Sequence, residues 1–310
     1  MLLLNISINI KRLRMKNFIL VLLLAFSLPA LAETVKTAGE AEASAPETLK
    51  AIQQHFKKTM PQVKGDDFVD GSMNFSPSSK KYNNYWMMRF VDEIDQPEEY
   101  TKAIAAGKKL WETPFANGKT FASCFPHGGK GAAAGYPKVD ASGKVVTFEH
   151  ALNTCLESNG EKPLAYGDMH TMGALSIVAR KLSDGARIKI EVKTDAEKAA
   201  FARGKALFYG RFGKAEQACA NCHIQHAGQV ARTEELSPVI GQAAHFPVFR
   251  PNKATGDLAV ITLQERYKGC QKNTLVADPI KPGSADSNDL EYFHTYISNG
   301  MPLSTGVFRK

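Results

Sequence analysis

In the stretch QACANCHIQHAGQ, Gln217 to Gln229, Cys219 and Cys222 stand two intervening residues apart and His223 follows at once. Two thiols at that spacing can add to both vinyl groups of a single haem while the adjoining imidazole reaches its iron. Cys-x-x-Cys-His is therefore the attachment signature of a c-type haem. A redox dithiol or half of a zinc site can use the same cysteines. The first wants a βαβ setting and the second another Cys/His pair at ligand spacing, and the sequence offers neither. The reading is one covalent haem c, with His223 on one face of the iron.

The other face has five candidates downstream: His226, His245, Cys270, His294 and Met301. A distal methionine is the ordinary choice in a cytochrome c, but Met301 falls at the end of the last expected helix, later than a distal loop. His226 shares the tight loop of His223. His294 alternates with an apolar stripe and reads as a surface or interdomain histidine. Cys270 lies in LQERYKGCQKNT, which reads as the loop ahead of the last helix, where a distal ligand belongs.

The five cysteines each need an assignment in an oxidising compartment. In CFPHGG, Cys124 has His127 three positions on and lacks the second vinyl thiol, so no haem is expected there. Cys124 and Cys155 then read as a disulfide closing a loop of about 30 residues, a cross-link that typically stabilises by about 2–4 kcal/mol. The competing reading keeps a degenerate haem on a single thioether from Cys124, with His127 otherwise a loop residue. Cys270 is the cysteine left over.

Positioning these groups requires two similar frames. AIAAGKKLWETPFANGKTFASC (Ala103 to Cys124) and AAFARGKALFYGRFGKAEQACANC (Ala199 to Cys222) share a helical lead, Gly-Lys-x-Leu-aromatic, and a second Gly-Lys before the cysteine. Each segment looks like the N-terminal helix of a class I cytochrome c. Each half closes with another helical pattern, over Tyr166 to Leu182 and over Ser287 to Met301; in the latter Leu290, Phe293 and Ile297 form a stripe ended by Asn299-Gly300. The expected fold is mainly α, two tandem class I cytochrome c-like domains (99–190 without haem, 191–310 with one) after an extension over 33–98. That extension should hold a short helix around Ala51 to Thr59, then an aromatic-containing wrap from Phe68 to Glu99.

The chain begins with Lys11, Arg12, Arg14 and Lys16, then an apolar run from Phe18 to Leu28 and Ala30-Leu31-Ala32. That is a secretory signal over 1–32, cut after about Ala32, with Met15 as an alternative start. The run is short for a membrane span, no other segment is long and apolar enough, and a periplasmic protein is expected. Losing those four basic residues lowers the formal charge from +8 to +4. The balance is mildly basic, and no Arg/Lys cluster interleaved with aromatics points to nucleic acid.

Taken together, FVDG and YWMMRF in the extension, CFPHGGKGAAAGYPKVDASGKVVTFEHALNTC in the first half, and CANCH, FPVFR and RYKGC in the second resemble the SoxA cytochromes in their single-haem form. These are the larger subunits of periplasmic SoxAX complexes of sulfur-oxidising bacteria. The resemblance implies an L-cysteine S-thiosulfotransferase. It makes Cys219 and Cys222 the haem thioethers, His223 the proximal ligand, and Cys270 both distal ligand and reactive centre, carried in this family as a persulfide. Arg266 matches an arginine beside that sulfur that holds substrate, and a guanidinium there would bind an oxyanion bidentately and lower the thiol's pKa. Lys268 and Arg250 would add positive potential. A sulfur ligand should give the haem a low potential. The implied partners are SoxX, the SoxYZ carrier, a soluble cytochrome c acceptor and thiosulfate. The rival reading is a plain periplasmic electron-transfer cytochrome, in which Cys270 only ligates iron or is inert.

Overall fold

Gly107 and Gly204, the glycines of the two Gly-Lys repeats, sit where helices cross with almost no separation. The computed structural model describes residues 36–63, 65, 66, 68, 98–231, 234–251 and 258–306, and the elements discussed here lie within one compact unit, Thr37–Lys310. Helix α1 spans Ala45–Thr59 and α2 spans Glu98–Glu112. The first half continues with α3, Phe148–Ser158, and α4, Met172–Lys181. The second half holds α5, Asp195–Tyr209, α6, Leu263–Asn273, and α7, Ala285–Ile297. Helix α2 crosses α4 and α5 crosses α7. A Cβ on Gly107 would run into the carbonyl oxygen of Ala174, and one on Gly204 into that of Asp289. Only glycine lets the backbones approach this closely.

The aromatic residue four positions after each glycine fills the core beside the crossing. Trp111 stacks on Phe121 at 5.7 Å between ring centres, and Phe208 lies against Phe293 at 5.1 Å. Gly204→Ala is expected to force α5 and α7 apart and to lower stability by about 1–3 kcal/mol or more, since the obstruction is backbone and cannot rotate away. Denaturant unfolding reads this directly, and an unchanged midpoint would contradict the close crossing.

The repeat runs further than the Gly-Lys text. In each half a glycine of positive φ, Gly131 (73°) or Gly241 (79°), leads a 3₁₀ turn, Ala132–Gly135 or Gln242–His245. A cis proline follows, at Tyr136-Pro137 and at Phe246-Pro247. Next comes a two-stranded antiparallel hairpin. In the first half it is β1, Lys138–Val139, with β2, Val145–Val146. After a small hairpin of β3, Val230–Ala231, with β4, Glu234–Glu235, the counterpart is β5, Val248–Pro251, with β6, Leu258–Ile261. Each main hairpin leads into a threonine that caps a helix: Thr147 accepts from the His150 N–H ahead of α3, and Thr262 from the Glu265 N–H ahead of α6.

Two helix starts and the burial of one helix differ from expectation. Helix α1 begins at Ala45 rather than near Ala51, because Ser44 and Glu47 form a reciprocal capping box with a proline in the first turn. Helix α4 begins at Met172 rather than Tyr166, because the Asp168 carboxylate accepts the N–H groups of His170 and Thr171 in a separate turn. Helix α7 is not half-exposed: Ser287 through Ile297 are all buried, so the stripe of Leu290, Phe293 and Ile297 is one side of a helix enclosed on every side. The chain between the halves pairs with the C-terminal segment, Ile190 exchanging bonds with the Asn299 side chain at 2.7 and 2.8 Å. Apart from Phe68, Glu98 and Glu99, the expected aromatic wrap lies outside the described residues. Among the described residues no helix is long and apolar enough to cross a membrane.

Candidate haem site and its facing sulfur

The Cys-x-x-Cys-His text forms a single wide turn. Asn221 starts it, its side-chain oxygen accepting the Ala218 N–H at 2.8 Å and its carbonyl accepting the His226 N–H at 2.9 Å. His55 of α1 reaches the same turn, its Nε2 3.1 Å from the Ile224 carbonyl oxygen.

His223 is held by its Nδ1, 2.7 Å from the Ser237 carbonyl oxygen. A carbonyl only accepts, so Nδ1 carries the proton and Nε2 keeps its lone pair for a metal. The Gln242 amide nitrogen, 3.4 Å from that Nδ1, sends its proton instead to Ser237 Oγ at 2.7 Å. This second layer fixes the tautomer and the ring plane that a proximal ligand needs.

Cys219, Cys222 and Cys270 are half-buried thiols that take no part in a disulfide. Burial pushes the Cys219 thiol up, and the charges of Cys270 and then Cys222 raise it further; Cys222 is raised by burial and then by Cys270. Cys270 thus lies close enough to the motif to interact electrostatically with both of its cysteines. Tyr267, one turn earlier, joins the same neighbourhood. Its hydroxyl lies 2.9 Å from His294 Nδ1, and its pKa is raised first by burial and then by charges on Glu291, Cys219 and Cys270.

Cys270 lies in the third turn of α6, which corrects its placement in a loop. The Thr262 cap starts that helix, and Gly269 does not break it; a Cβ at 269 would meet nothing within 4 Å, so open space adjoins Cys270. Arg266 is four residues before Cys270 and so shares its helix face. Its guanidinium has no hydrogen-bond or ion-pair partner among the described residues, which leaves it available to an anion. Lys268 is engaged with Glu265 at 3.2 Å, and the side chain of Arg250 lies outside the described residues.

Of the other candidates, His245 is buried in the 3₁₀ turn Gln242–His245. His226 is exposed at the end of the motif turn, and Met301 is tied by its carbonyl to the Ile188 N–H. His294 is 3% exposed and stacks on Tyr267, so it is not a surface histidine. In the first half Cys124 and Cys155 are joined by a disulfide, and His127 is an exposed residue in left-handed conformation (φ 53°). A signal missed in the sequence is the threonine-to-cysteine spacing, eight residues in both TFEHALNTC and TLQERYKGC. It makes Cys155 the counterpart of Cys270 and places both in helices.

The family model for the SoxA/TsdA cytochrome c domain matches residues 106–188 and 203–303, one segment in each half. The chain belongs to the SoxA/TsdA cytochrome c family. Within it, the L-cysteine S-thiosulfotransferase subunit SoxA of Chlorobaculum tepidum is 38% identical over 84% of this chain and 87% of its own length. The subunit of the same name from Allochromatium vinosum is 34% identical over 88% and 93%. Among solved structures, SoxXA from P. pantotrophus aligns with a TM-score of 0.60 and 27% identity, covering 69% of this chain and 79% of that one. For this SoxA-family chain the residues fit a c-type haem: two thiols and an oriented imidazole on one turn, a third thiol close to them, and open space beside it.

Proposed function

We propose that the chain is the haem-bearing subunit of a periplasmic L-cysteine S-thiosulfotransferase. The observation that carries the reading is Cys270 close to the Cys-x-x-Cys-His turn, with Arg266, which has no partner among the described residues, on the same helix face. In this reading residues 1–32 are a signal cut after about Ala32, 33–98 an extension, 99–190 a cytochrome c-like domain without haem, and 191–310 the domain with one haem. Cys219 and Cys222 would hold the haem by thioethers, and His223 and Cys270 would be the residues that ligate its iron. When bound, the haem supplies an electron acceptor beside the sulfur. SoxX completes the complex, as in the SoxXA neighbour.

Arg266 binds the sulfonate oxygens of thiosulfate through charge-assisted hydrogen bonds and points the outer sulfur at Cys270. A sulfur–sulfur bond forms between the Cys270 thiolate and thiosulfate as two electrons leave, one to each of two molecules of a soluble cytochrome c. A cysteine thiolate of the SoxYZ carrier then attacks the outer sulfur; the new bond forms on the carrier and Cys270 departs as thiolate. Intact-mass analysis of the carrier after incubation with thiosulfate, acceptor and the purified complex tests the activity. The expected product is a thiosulfonate adduct on the carrier cysteine, and an unmodified carrier alongside competent electron transfer would contradict it. Arg266→Ala should lower kcat/KM for thiosulfate by about 10- to 100-fold, the worth of a charge-assisted bond, with unfolding unchanged. Unaltered kinetics would remove its role.

A further inference from the structure

The internal repeat singles out one position on the sulfur-bearing helix. Counted from the capping threonines Thr147 and Thr262, the second helical residue is Glu149 in α3 and Gln264 in α6, while the eighth is Cys155 and Cys270. Both second residues are buried, and both join one polar cluster where α3, α4, α6 and α7 meet. Arg180 of α4 donates from Nε and Nη2 to the two oxygens of Glu149 at 3.2 and 3.1 Å, and from Nη2 to Glu291 of α7 at 3.5 Å. Gln264 donates to the other Glu291 oxygen and to Asn288, both at 2.9 Å, and its carbonyl accepts the Gly283 N–H at 2.6 Å.

The amide of Gln264 thus spends both donor and acceptor capacity on fixing the first turn of α6 against α7 and the segment before it. Through Arg180 the same bonds reach the first half. One turn on, Tyr267 bonds His294, and these two rungs hold the helix whose next turn presents Cys270. A glutamate at 264, as at 149, would set a third buried carboxylate beside one guanidinium. Glutamine keeps the bonds without that charge.

We propose that Gln264 is a positioning residue for Cys270, and that the buried chain Glu149–Arg180–Glu291–Gln264 lets the first half fix where that sulfur stands near the Cys-x-x-Cys-His turn. This rests on the reading of Cys270 as the reactive sulfur. The test compares the holoprotein complex with its Gln264→Met, Gln264→Glu and Cys270→Ser variants, by low-temperature EPR and by kcat and KM for thiosulfate. Gln264→Met conserves volume and removes the bonds. It should keep KM within about twofold, lower kcat by about tenfold or more, and broaden or split the low-spin signal, as loss of outer support to a ligand does. Wild-type EPR and kcat in Gln264→Met would overturn the proposal. Should that variant fail to acquire haem, Gln264→Glu decides. Glu291 is the titratable group that bonds position 264 directly, with Arg180 and then Glu149 reached through it and His150 meeting the same Gly283, so an added carboxyl holds its bond to Glu291 only while the pair shares a proton. Its kcat should therefore fall, relative to wild type, as pH rises; a profile parallel to wild type would overturn the proposal. Failure of the underlying reading is separately visible, because Cys270→Ser would then retain activity.

Discussion

Cys270→Ser is expected to retain covalent haem and to lose thiosulfate-dependent cytochrome reduction by about a thousandfold or more, the scale on which removing a nucleophile acts. Haem retention follows from where the attachment groups stand. Cys219, Cys222 and His223 occupy one turn held by Asn221, Ser237 and His55, none of which contacts α6 through a hydrogen bond. The loss of activity follows because a serine hydroxyl can form neither the sulfur–sulfur bond nor a sulfur bond to iron. Intact mass gives the haem count and a reconstituted assay gives the rate. A variant that reduced cytochrome at the wild-type rate would leave the chain as an electron carrier.

The second large effect concerns the core. Arg180→Met removes the one cation that, among the described residues, pairs with the two buried carboxylates, and at neutral pH should cost about 3–5 kcal/mol, because it leaves buried charge uncompensated. The two carboxylates already divide unequally around Arg180. For Glu149 burial alone would raise the pKa, but the charge and bonds of Arg180, with the Ser176 hydroxyl at 2.6 Å, outweigh it and hold it low. Glu291 is pushed up to about 8 by burial and by the charge on Glu149, against the pull of Arg180. Its folded-state pKa thus lies above the ordinary glutamate range, so the folded chain binds the extra proton between about pH 5 and 8. That contribution is full at the acid end and is lost as pH rises to about 8. In Arg180→Met both carboxyls should take up protons as pH falls, so the variant should recover part of its stability at pH 5. Denaturant midpoints at pH 5 and 8 measure this; a loss under about 1 kcal/mol with no pH dependence would contradict the buried charge network.

The attachment motif was legible because its chemistry is local: five consecutive letters contain two thiols and an imidazole that one turn brings together. The helix crossings were legible through the two Gly-Lys-x-Leu-aromatic segments, whose glycines and aromatics do the same work in both halves. Cys270 was misplaced because RYKGCQKNT is polar and carries a glycine, and α6 buries only Leu263, Gln264 and Tyr267 among its residues. Its spacing from a capping threonine was the stronger signal. His294 was misjudged because an apolar stripe implies an opposite wet face, whereas α7 has none. The Glu149–Arg180–Glu291–Gln264 cluster had no local signature at all. Its members lie up to 142 residues apart, and charged letters in a sequence do not announce which of them the fold will bury.

The central claim is that Cys270 takes the second face of the haem iron. Low-temperature EPR of the oxidised holoprotein beside Cys270→Ser tests it most directly. The account predicts a low-spin, sulfur-ligated signal that disappears in the variant. An unchanged spectrum would contradict it, assigning that face to a histidine or to Met301 and leaving Cys270 outside the chemistry.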